Sequence, residues 1–153
     1  MTTEEVLLAM HLLGISVWIG GQIVLAFLMP TLRAAGHDEA DSRRIITAAA
    51  QRFQLISWAA LVFILFTGIA LMLDIDDMGG DWGRIFGEKL TFVVLSIGMA
   101  VAHSQWAGPK IRKYAESDPE QATKFKKING ALAGIGLGCA IMALVWGIRL
   151  FFA

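Results

Sequence analysis

Residues 6–29 read VLLAMHLLGISVWIGGQIVLAFLM, a run of twenty-four with one histidine and no formally charged side chain. A bilayer core about 30 Å thick is crossed by about 20 apolar residues in a helix. Backbone polar groups in hydrocarbon must be satisfied within the segment, so such a run has to be helical. Residues 53–73, 90–108 and 128–150 repeat the pattern, so four spans account for most of the 153 residues. The expected fold is an all-α integral membrane protein: one up-down four-helix bundle, 1–153, with no second core. A composition of 56% hydrophobic and 17% charged residues agrees with this and departs from a soluble average of about 25% charged.

Charge sets the expected topology. Residues 31–52 hold Arg33, Arg43, Arg44 and Arg52, and residues 109–127 hold Lys110, Arg112, Lys113, Lys124, Lys126 and Lys127. Arg84, Lys89 and Arg149 alone fall on the other side, among Glu4, Glu5, Asp74, Asp76, Asp77, Asp81 and Glu88. The positive-inside rule then puts both termini outside and the first and third loops in the cytoplasm. Glu4 and Glu5 stand where a cleaved signal would carry basic residues, and the apolar run is too long for one. Zero net charge says nothing about nucleic acid, but no basic block of useful size occurs, so none is expected as a partner; the lipid bilayer is the partner that composition demands.

Local signals refine the elements. The first helix is expected over about 3–33, and Asp38 or Asp41 caps a surface helix, 39–52, that feeds the second span. Asp118-Pro119-Glu120-Gln121 offers an N-cap, a proline at the first helical position and a glutamine able to close a capping box. Asp74, Asp76, Asp77 and Asp81 lack the spacing of a calcium loop and read as a solvated outer loop. Gly130, Gly134 and Gly138 recur every fourth residue, a spacing that lets transmembrane helices approach closely. Packing within the bundle is the favoured reading of that stripe and self-association the alternative.

Polar side chains inside spans need a reason, because burying them in lipid is costly. At 100° per residue, His11, Trp18, Gln22 and Met29 lie within about 20° of one line along the first helix. Lys89, Phe92, Ser96, Met99 and His103 form a comparable stripe on the third. Both stripes are expected to face the protein interior. On parallel helices His11 and His103 differ in depth by about eleven residues, or about 16 Å, too far to share one ion or one haem. Either there are two sites or one histidine is structural.

Met10, His11, Thr67, Met72, Lys89 and Arg149 gather at the outer level, and Gln22, Met29, Ser57, Met99 and His103 at the inner, with Cys139 and Met142 between them. Imidazole, thioether and thiol suit Cu(I), a soft ion. The same histidines could each be an axial ligand of a b-type haem, with Gln22, Lys89 or Arg149 as polar or propionate partners. Cys139 is the single cysteine, so no intramolecular disulfide forms. No nucleophile–base pair, phosphate loop or nucleotide fingerprint occurs. The expectation leans away from an enzyme, with an oxidoreductase the case if haem is bound.

The motifs resemble a known family. His11-Leu12-Leu13, Val17-Trp18-Ile19-Gly20-Gly21 and Met29-Pro30-Thr31-Leu32-Arg33 resemble the opening of the copper-resistance D (CopD-like) membrane domain. Arg52-Phe53 with Phe66-Thr67-Gly68 resembles its second helix, and Gly87-Glu88-Lys89-Leu90 with Ala102-His103 its third, so the likeness covers roughly 7–108. It implies a protein of the cytoplasmic membrane that handles copper, often beside a periplasmic copper-binding partner. A more distant likeness to the four-helix protoporphyrinogen oxidases implies b-type haem. Both point to His11, Lys89 and His103, but the fourth helix lacks the oxidase's polar features. A third reading is a small structural subunit of a larger membrane complex.

The topology is open to direct test. With Cys139 replaced, a cysteine placed at Asp77 should label with an impermeant reagent added outside the cell, and one at Ser117 should not. Outside labelling at Ser117 would reverse the orientation.

Overall fold

The computed structural model describes every residue except Asp74, Asp76, Asp77, Met78 and Ala153, and omits the side chain of Glu39. Most of the acidic loop considered above for calcium therefore lies outside the described residues. The chain forms α1 (Thr3–Ala34), α2 (Glu39–Leu73), α3 (Gly80–Val101), a π-helical segment (Ala102–Ala107), α4 (Gly108–Tyr114) and α5 (Pro119–Phe151). It is all-α, and four stretches are long and apolar enough to cross a membrane. Packing divides it into two units, Met1–Asp77 and Met78–Ala153, each a helical hairpin.

The rods exceed the expected spans. α1 has 32 residues and α2 has 35, or about 50 Å at 1.5 Å each, against a hydrocarbon core of about 30 Å. Their ends therefore project into the headgroup layer, where the caps are polar. Thr2 accepts from the Glu5 N–H while the Glu5 carboxylate accepts from the Thr2 N–H, a capping box that the sequence reading passed over. Asp38 caps α2 by accepting from the Asp41 N–H at 2.8 Å, and Ser42 donates to Arg33 O at 2.9 Å, tying the turn together. The expected surface helix and second span are one continuous helix. At α5, Asp118 accepts from the Gln121 N–H as expected, but the box is only half built. The Asp118 N–H is taken by Tyr114 O, so it is not available to the glutamine.

Glycines set the approach in the first hairpin. A Cβ on Gly14 would lie 2.8 Å from Ile64 Cγ1, and one on Gly21 would lie 2.5 Å from Phe53 Cε2. Because 14 meets 63–64 and 21 meets 53, the helices are antiparallel. The buried α1 residues are His11, Gly14 and Trp18, which is the expected face. The other faces are apolar and open: Phe27, Leu55 and Phe66 are each at least 70% exposed. Such surface suits acyl chains, in which helix contact is made by close packing rather than by hydrophobic burial.

In the second hairpin the stripe Lys89, Phe92, Ser96, Met99 and His103 is the seam against α5. Gly136 is its close-approach point, with Met99 Cβ 3.0 Å from where a Gly136 Cβ would stand. Ala140 and Ala143 continue the buried line. The periodic Gly130, Gly134 and Gly138 sit on the opposite face of α5 and make no contact with α3. Regular spacing was therefore a poorer guide to this helix pair than the lone Gly136.

The third rod does not stop at residue 108 but passes through Pro109 to Tyr114. Proline has no N–H, and its ring crowds the carbonyl four residues back. The π turn just before it relieves that crowding, with the Gly108 N–H bonded to His103 O. The wider turn also keeps Met99, His103 and Ala107, spaced by fours, on one side; Ala107 is fully buried. Beyond it the Lys110 ammonium lies 4.5 Å from the Trp106 ring centre and 4.9 Å from that of Phe125, and Tyr114 stacks on Phe125.

Two substitutions on α5 separate the faces. Gly136→Leu should lower stability by about 1–3 kcal/mol through overpacking, and Gly134→Leu should leave the hairpin nearly unchanged. Thermal unfolding in detergent reads both, and equal losses would reverse the assignment of the seam.

Candidate functional site

His11 is 7% exposed and faces α2. Its Nδ1 lies 2.9 Å from Thr67 Oγ1. The Thr67 hydroxyl donates to Phe63 O at 2.8 Å, with Ile64 O at 3.2 Å. A Cβ on Gly68 would stand 3.0 Å from His11 Cε1, so the ring rests on Thr67 and against the bare backbone of Gly68. Met10 is 39% exposed, and Met72 is half-buried. Gln22 turns back on its own helix, donating to Trp18 O at 3.2 Å.

His103 occupies the π segment, half-buried, and its Nδ1 lies 3.2 Å from the backbone oxygen of Asn129. A carbonyl only accepts, so this nitrogen carries the proton and Nε2 is the basic one. Two buried side-chain oxygens, Asn129 Oδ1 and Ser57 Oγ, have no hydrogen-bond partner among the described residues. Above His103 on the seam, Ser96 donates to Gly136 O at 3.0 Å. Cys139 and Met142 flank that seam on α5, half-buried.

At the other end of this hairpin the Trp146 indole donates to Glu88 at 2.5 Å. Phe92 packs on the same ring, and the Arg149 guanidinium lies 5.2 Å from its centre. Glu88 also receives Arg84, 3.3 Å away, and Arg84 in turn reaches Asp81. Lys89 lies along the notch left by Gly147, with Cε and Nζ 3.6 Å from the absent Cβ. Its ammonium has no hydrogen bond or ion pair among the described residues. The sequence reading singled out Lys89 and Arg149 but missed Glu88 and Trp146, which join the two helices. An indole N–H within reach of a carboxylate at matching depth was the available signal.

Among the described residues no three His, Cys, Asp or Glu side chains gather as a chelating group. The chemistry on offer is that of two hydrogen-bonded imidazoles, thioethers and one thiol in an apolar setting, which favours soft ions over calcium or magnesium. The molecule is thus a multi-pass helical membrane protein with dispersed soft donors. The family described as Copper resistance protein D (CopD) matches residues 47–148, and the chain belongs to it. No curated protein and no solved structure gives a match.

The matched stretch differs from the resemblance read at 7–108. It includes the fourth span, which had no recognisable motif, and begins after α1. Lys89, Met99, His103, Cys139 and Met142 fall within it; His11 and Arg149 fall outside. The link to copper is thereby shown at the level of the family, and it does not extend to haem.

The Glu88 contact makes a clean test. Trp146→Phe keeps a ring for Phe92 and Arg149 but removes the indole donor, and should lower the stability of the hairpin because the Glu88 carboxylate loses a charge-assisted hydrogen bond. Thermal unfolding of the variant checks it; no loss would make the contact incidental.

Proposed function

We propose that this protein binds copper as Cu(I) in the cytoplasmic membrane and passes it between soft side chains by ligand exchange, without catalysing a reaction. Membership of the copper-resistance family supports the metal. The observation that carries the reading is the order of donors along the second hairpin. His103 is level with Asn129, Met99 with Gly136, and Cys139 and Met142 follow three and six residues along α5. Helical rise separates His103 from Met99 by about 6 Å on their own rod, and the later levels on α5 by roughly 4–5 Å per step. Thioether, thiol and imidazole bind Cu(I) at low coordination number and release it to a similar neighbour.

His11 is a second binding position, on the first hairpin, with its own hydrogen-bond partner. Both termini face outward, toward a periplasmic copper-binding protein as donor or acceptor. The ion is cargo, so its sites must hold it weakly enough to release it.

The test is anaerobic Cu(I) titration of detergent-purified protein against a chromophoric chelator. The triple change Met99→Leu, Cys139→Ala, Met142→Leu should remove the copper held by the second hairpin, His103→Ala should weaken it, and His11→Ala should remove a separate equivalent. Wild-type protein that retains no Cu(I), or a triple variant that binds as wild type does, would overturn the reading. So would a haem Soret band in the purified protein.

A further inference from the structure

Thr67 has one hydroxyl proton, and its surroundings fix where that proton goes. Oγ1 is 2.8 Å from Phe63 O and 3.2 Å from Ile64 O, and both are carbonyl oxygens that cannot donate. With its proton given to its own helix, the hydroxyl presents only lone pairs to His11. The nitrogen 2.9 Å away must then carry the hydrogen. We infer that Thr67 is a positioning residue: it selects the Nδ1–H tautomer of His11 and so makes Nε2 the nitrogen that coordinates a soft metal ion. The inference rests on the copper reading above for what Nε2 binds, but not for the tautomer.

Gly68 completes the device. A Cβ there would fall 3.0 Å from Cε1, 3.6 Å from Nδ1 and 3.9 Å from Nε2 of His11, so any other residue would push the ring along the edge that joins its two nitrogens. One turn along, Gly14 seats against Phe63 and Ile64, the residues whose carbonyls take the Thr67 proton. The same two turns of α2 therefore hold the helix, the hydroxyl and the imidazole. Partners of this kind orient ligating histidines and raise their basicity, and losing one typically lowers metal affinity about 10–100-fold. A serine keeps the hydroxyl; valine keeps the shape and removes it.

Full-length protein labelled with nitrogen-15 histidine is examined in detergent micelles by NMR, alongside Cu(I) competition titrations. Wild type and Thr67→Ser should show His11 protonated at Nδ1. Thr67→Val should lose that preference and weaken the His11-dependent copper site about 10–100-fold, with the serine variant near wild type. A wild-type spectrum with the proton on Nε2 overturns the inference even if the valine variant fails to fold. An unchanged tautomer and affinity in Thr67→Val does the same. If the tautomer follows Thr67 while His11→Ala leaves copper binding untouched, the positioning role stands and the copper reading of His11 is what fails.

Discussion

An imidazole N–H placed among apolar helices has no water to turn to, and its acceptor must come from another helix. That demand links sequence to arrangement in both hairpins. His11 is bonded to the Thr67 hydroxyl of α2 and His103 to the Asn129 carbonyl of α5. Each bond crosses a helix pair and fixes its register. Each also places the proton on Nδ1, so the two histidines present the same nitrogen by different means. One uses a side chain and the other a main-chain oxygen.

Such bonds need the helices to be close, and small residues provide that. Gly14 and Gly21 admit Ile64 and Phe53, and Gly136 admits Met99. Lipid offers little hydrophobic drive for one apolar helix to cover another, so close backbone approach and a few polar contacts hold each pair. The buried set is correspondingly rich in alanine, glycine and hydroxyl residues, while Phe27, Leu55 and Phe66 point outward.

Much of this was legible in the sequence. Length and hydropathy gave the four spans, and a 100° turn per residue predicted that His11 and Trp18, and separately Ser96 and Met99, share inward faces. What stayed hidden were partners without a signature. The sequence places Thr67 at the level of His11 but not as its hydrogen-bond partner, and a backbone carbonyl at Asn129 has no letter at all. The stripe of Gly130, Gly134 and Gly138 drew attention by its regularity, whereas the working contact is the single Gly136. The third span reads as 90–108 in the sequence, and the rod instead continues through Pro109, which a wider turn absorbs. The candidate site was less legible than the fold, since dispersed soft donors leave no spacing motif.

The π segment has a bearing on how this rod tolerates change. The π turn at Ala102–Ala107 spends one residue more than an α turn on about the same rotation. Deleting one residue there would close it to an α-helix and leave Lys110 and the basic edge of α4 on nearly their present heading. The same deletion in α3 would turn everything beyond it by about 100°. The segment is thus the one place along this rod where the helix can lose a residue and keep both of its halves aimed as they are.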